Sequence, residues 1–193
     1  MADDARLEQI LGAAYLCFTR HGVRRTTMDD IARQAGMSRP GVYQYVRSKE
    51  DAFRRLAERL LDSSLTAARA RAAAPGTLSD RLTSVLLAKL DMTMTLRRDS
   101  PAHAAELLGA DTRLTAEPVD AYNADMTRLL ADTVAAARPD ADAREFAAVL
   151  LALTRGLEAD LSDPEAPARR LRHGVALLVN GLDHPRTNPK ESQ

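Results

Sequence analysis

The chain has no tryptophan, one cysteine, four histidines and only seven other aromatic residues, three Phe and four Tyr, among its 193 residues. A lone cysteine, Cys17, excludes an internal disulfide, and four scattered histidines make a structural zinc cluster improbable. No metal or other cofactor is expected. No apolar run is long enough to cross a bilayer and no secretory leader pattern opens the chain, which predicts a cytoplasmic protein. No segment alternates apolar and polar residues in the manner of a strand. Gly-rich phosphate loops, nucleophile motifs and a carboxylate pair with a histidine are all missing, so an enzyme is not expected. What is plentiful is Ala, Leu and Arg, which favours helix nearly throughout.

The net charge is zero, but it is unevenly spread. Residues 20–60 hold ten basic and five acidic side chains, a net of +5, against −2 before them and −3 after them. Cationic charge confined to one segment is the footprint of a phosphate-binding region.

Within that segment, Thr27 to Phe53 organises the rest. Thr27 suits the N-cap of a short helix, on which Ile31 and Ala35 share a face. Gly36 ends it where a left-handed backbone would be costly for any other residue. Ser38 caps a second helix with Pro40 in its first turn. Val42 and Tyr45 turn inward, and Arg39, Gln44 and part of Tyr43 stay outside. Small Ala32 lets the two helices cross closely. Helix, short Gly turn, helix is the layout of a DNA-reading helix-turn-helix.

Thr27, Asp30-Ile31-Ala32, Ala35-Gly36-Met37-Ser38, Tyr43-x-Tyr45 and Ser48-Lys49-Glu50 together resemble the N-terminal domain of TetR-family bacterial transcription regulators. The resemblance covers about residues 6–53. Val42 stands where that family more often has leucine, and Val46 where an aromatic is usual. The resemblance implies that Thr27 and Lys49, each at a helix start, hold the DNA backbone, where helix N-termini already favour phosphate. Tyr43 and Tyr45 match the family's paired tyrosines. A hydroxyl contact to phosphate is expected for Tyr43, while for Tyr45 a core role competes. Arg39 is the best candidate for a base edge, since a guanidinium can grip guanine with two hydrogen bonds. Gln44 is the second, Pro40 suits a thymine methyl, Ser38 belongs to the same surface, and Arg25 or Arg47 neutralises phosphate.

The predicted fold is all-α: a three-helix helix-turn-helix domain over residues 1–50, a larger helical domain over 51–183, and a disordered tail from 184 to 193. The first helix is expected from Arg6 to Arg20, after a frayed Met1–Asp4, with Ile10, Ala14, Cys17 and Phe18 inward. A long helix follows from Ser48 towards Arg71. By the family resemblance it transmits movement to the reading head. Beyond Pro75-Gly76, helices are predicted over 78–97, 102–108 and 115–137. Their apolar faces nominate a pocket around Met92, Met94, Leu107, Leu108, Tyr122 and Met126, with core filling as the competing reading. The family precedent of a small-molecule site tips this towards the pocket. His103 and Glu106, three apart, either orient a polar ligand group or are solvated or paired with Arg97 or Arg98.

The last two helices, 144–161 and 168–182, differ. Leu171, Val175, Leu178 and Leu182 form one stripe, and Gly174, Leu177 and Gly181 an adjacent one. Glycine inside a helix costs about 1 kcal/mol against alanine, so two on one face call for the close approach of another helix. The expected cause is a four-helix dimer contact joined by Leu153, Gly156 and Leu157. The function expected is a homodimeric regulator, a repressor, that binds double-stranded operator DNA and is released by a small apolar or amphipathic effector. The alternative keeps the DNA and replaces the small molecule with a protein partner.

Overall fold

The computed structural model describes residues 2–109, 112–158, 163 and 165–182. Within them the chain is helical, with no strand. The elements are α1 (Ala2–His21), α2 (Met28–Gln34), α3 (Arg39–Tyr43), α4 (Lys49–Ala73), α5 (Leu78–Asp99), α6 (Ala104–Gly109), α7 (Thr112–Ala137), α8 (Ala143–Leu157) and α9 (Ala166–Leu182). The expected end of α8 at Leu161 and the tail from 184 lie outside the described residues.

Helix α1 starts at Ala2, four residues before the expected Arg6. Asp3 and Asp4 occupy its first turn, where the helix dipole favours negative charge. Asp3 also accepts the Tyr45 hydroxyl at 3.3 Å, which ties this end down. Gly22 closes α1 at φ 76°, a conformation that a side chain disfavours. Helix α5 opens on a reciprocal cap. The Thr77 hydroxyl accepts the Asp80 amide, and the Asp80 carboxylate takes the Thr77 amide.

The chain forms two compact units, Met1–Leu65 with Asp91–Ala124, and Thr66–Leu90 with Asp125–Gln193. The first is built on Ile10, Ala14, Cys17, Phe18, Ile31, Val42, Val46, Phe53 and Leu56, with Leu60, Leu107 and Leu114 packed against them. Phe18 and Phe53 meet edge to face, centroids 5.7 Å apart, a favoured aromatic geometry. Val42 and Val46 are fully buried, so the smaller side chains at these positions still serve as core.

In the second unit, Leu82, Val85, Leu86, Leu130, Val134, Leu150, Leu171 and Val175 are fully buried. Arg81 donates to the carbonyl of Ala72 at 2.7 Å and Arg71 to that of Ser84 at 3.1 Å, which secures the turn at Pro75-Gly76. Lys89, itself buried, pairs with Glu158 at 2.5 Å.

Candidate nucleic-acid interface

The helix-turn-helix is fixed by local chemistry at each joint. Thr27 caps α2 in a reciprocal box. Its hydroxyl accepts the Asp30 amide at 3.2 Å and donates to the Asp30 carboxylate at 2.6 Å, and that carboxylate accepts the Thr27 amide at 3.0 Å. These bonds, the Thr27 hydroxyl first, hold the Asp30 carboxyl below its usual range. Gly36 turns the chain at φ 64°. Gln9 on α1 donates to the Ala35 carbonyl at 2.7 Å, satisfying the end of α2 from outside. Ser38 caps α3 by accepting the Gly41 amide at 3.2 Å, with Pro40 in the first turn.

This geometry presents Arg39, Pro40, Tyr43 and Gln44 to solvent and buries Val42. Arg39 lies 3.3 Å from Asp29, and its other terminal nitrogen donates to the Tyr43 hydroxyl at 3.4 Å. The guanidinium also stands 5.6 Å from the Tyr43 ring centre, within cation–π range. The Tyr43 hydroxyl, then the Asp29 charge, push the Arg39 pKa up. Tyr45 behaves differently: it is half-buried against the core, and its hydroxyl is spent on Asp3. Lys49 opens α4 and donates to the Arg24 carbonyl at 3.1 Å. Ser48 caps α4 by accepting the Asp51 amide at 3.2 Å, and Asp51 accepts the Arg47 amide at 2.9 Å. Cys17 is core, and burial pushes its thiol up.

Residues 10–56 match the family model described as bacterial regulatory proteins, tetR family. Residues 10–56 thus form a DNA-binding domain of the tetR N-terminal type. An uncharacterised HTH-type transcriptional regulator of Bacillus subtilis (strain 168), YfiR, is 47% identical over 62 residues, which span 32% of this chain and 30% of that relative. Two solved structures share this chain's fold over nearly its whole length. A transcriptional regulator from Pseudomonas aeruginosa PAO1 has a TM-score of 0.73 at 19% identity, over 93% of this chain and 91% of its own. The complex of SmeT with triclosan has a TM-score of 0.71 at 23% identity, over 98% and 99%.

Away from the TetR-type head, the nominated pocket residues scatter in environment. Met92 and Met94 are half-buried, and Met126 is fully buried in the second unit. Tyr122 is buried with its hydroxyl 2.9 Å from that of Ser64. Leu107 packs on the head core, and Leu108 is exposed. His103 lies 4.0 Å from Glu106, whose carboxylate accepts the Arg24 amide at 2.9 Å. That last contact has no local signal, because its partners are 82 residues apart.

Of the nominated dimer residues, Leu177 on α9 is 59% exposed, Gly181 is exposed, and Leu153, Leu157, Gly174 and Leu178 are half-buried. Val149 on α8 is also exposed. Among the described residues no group of three or more His, Cys, Asp or Glu is placed to hold a metal, and no helix is long and apolar enough to cross a membrane.

Proposed function

We propose that the protein is a homodimeric transcriptional repressor acting in the cytoplasm on double-stranded operator DNA. Helix α3 enters the major groove, with Arg39 and Gln44 reading base edges. Thr27, Tyr43 and Lys49 hold phosphates. The observation that carries this reading is the exposed Arg39–Gln44 surface on a helix pinned by the Ser38 cap and the Gly36 turn, inside the cationic segment of the chain. Two heads would meet two half-sites about 34–36 Å apart, one helical turn of DNA.

Exposed Val149, Leu177 and Gly181 on α8 and α9 support pairing through those helices. The effector is a small apolar or amphipathic molecule held among the C-terminal helices, and the triclosan bound by SmeT, a chain of the same fold, supports that class. It switches the protein only by binding one conformer better than the other.

Fluorescence anisotropy of labelled duplex DNA, followed while small apolar molecules are added, tests the reading. Molecules that bind the protein and also release the DNA support it. Binding that no small molecule disturbs points to a protein partner as the controlling ligand, and failure to bind DNA at all overturns the whole reading.

A further inference from the structure

We propose that Glu106, on α6, is a positioning residue of the DNA grip. It fixes the peptide of Arg24, whose carbonyl holds the Lys49 ammonium. The inference rests on the reading of Lys49 as a contact to the DNA backbone.

Arg24 lies in the connection between α1 and α2, and both of its main-chain polar groups are taken by side chains. Its N–H donates to Glu106 Oε1 at 2.9 Å, and its carbonyl accepts from Lys49 Nζ at 3.1 Å. In this position Glu106 lies close against residue 22, a glycine. A Cβ there would stand 2.4 Å from Glu106 Oε2 and 3.2 Å from His103 Nδ1. The positive φ of Gly22 explains a glycine by itself, and the carboxylate gives the position a second reason.

The approach is reinforced beside it. The Ser100 hydroxyl, almost fully buried, donates to the Thr19 carbonyl at 2.7 Å, and the Tyr15 hydroxyl donates to Asp99 at 2.5 Å. Leu107, the neighbour of Glu106, packs on the head core. Glu106 is therefore a seated side chain.

A carboxylate on the N–H polarises the Arg24 peptide and makes its carbonyl the stronger acceptor. An ammonium has three donors. One goes to Arg24, and two are left for phosphate oxygens. Without Glu106 the Arg24 peptide loosens, Lys49 is no longer held in place, and the rotamer freedom it regains costs it the phosphate contact.

The test uses the full chain and a duplex recovered by selection from a random pool, with anisotropy measured across a salt series. Lys49→Ala should flatten the dependence of log K on log salt by about 1 per head. Glu106→Ala should flatten it equally and weaken binding about fivefold, the effect of one ordinary hydrogen bond. The double variant should bind no worse than Lys49→Ala alone. Glu106→Gln, whose amide oxygen still accepts, should restore both affinity and slope. Should Glu106→Ala not fold, Glu106→Asp withdraws the carboxylate by one methylene and should flatten the slope in the same way.

A Glu106 variant that keeps the parent slope, or that adds its loss in full to that of Lys49→Ala, overturns the inference and leaves the Lys49 reading intact. A Lys49→Ala protein with the parent slope overturns both.

Discussion

A Cβ added at Gly174 would stand 2.8 Å from Cδ2 of Leu153. Helices α8 and α9 thus meet inside the chain at a point where glycine leaves Leu153 undisturbed. Gly156 and Gly181 have nothing within 4 Å of such a Cβ among the described residues. Gly174→Leu should therefore lower the unfolding free energy by about 1–3 kcal/mol, the usual cost of overpacking, read in chemical denaturation. Gly181→Trp should keep the circular-dichroism spectrum and produce monomers in analytical ultracentrifugation. An unchanged dimer mass would move the interface elsewhere.

Arg39 is expected to exchange partners on binding DNA. Its ion pair with Asp29 is exposed on both sides, 56% and 55%, and solvent screening leaves such pairs worth little. Asp29→Asn should shift stability by less than about 0.5 kcal/mol. It should also tighten binding to all sequences, because a negative charge leaves the phosphate-facing surface. Arg39→Ala should cost about 1–3 kcal/mol of binding and relax base preference at one position of each half-site. Anisotropy on matched and mismatched duplexes separates the two effects.

Acid should act through the two reciprocal caps. Hydrogen bonds from Thr27 hold Asp30, and those from Thr77 hold Asp80, below the usual carboxylate range. The folded state therefore favours the ionised carboxylates. Their stabilisation is complete above the ordinary value of about 4 and is lost as pH falls through the depressed folded values. Replacing both by Asn should flatten the acid limb of a melting-temperature profile below about pH 4. Thr27→Ala should cost about 1 kcal/mol at neutral pH. An acid limb identical to the parent's would contradict this account.

The pair between Lys89 and Glu158 is deeply seated, with side chains 9% and 17% exposed. Removing one partner strands the other's charge, so Lys89→Ala should cost about 3–5 kcal/mol. Replacing both with apolar residues, Lys89→Met with Glu158→Leu, should cost much less. A double-mutant cycle by urea denaturation checks it.

The features legible in the sequence are those decided within three or four residues. Thr27 and Ser38 accept amides one turn away and Gly36 takes a positive φ, so their roles follow from residue type and spacing. At the start of α1 the acidic Asp3 and Asp4 were a local signal, but the bond from Tyr45 to Asp3, across 42 positions, was not legible. Gln9 satisfying the Ala35 carbonyl and Glu106 holding Arg24 are hidden for the same reason. On α9 the period was right but the phase was shifted. Leu171, Val175 and Val179 are buried, while Leu178 and Leu182 are only half-buried. A helix with apolar residues on two adjacent stripes does not reveal which stripe its own chain covers.

The central claim is that paired cationic heads read duplex grooves at a set separation, and selection of bound DNA from a random pool measures this most directly. The account predicts an enriched sequence of two inverted half-sites whose centres lie about one helical turn apart, 34–36 Å, with a dimer on each site. A pool that returns no enriched sequence at moderate ionic strength, or single unpaired sites, would contradict it.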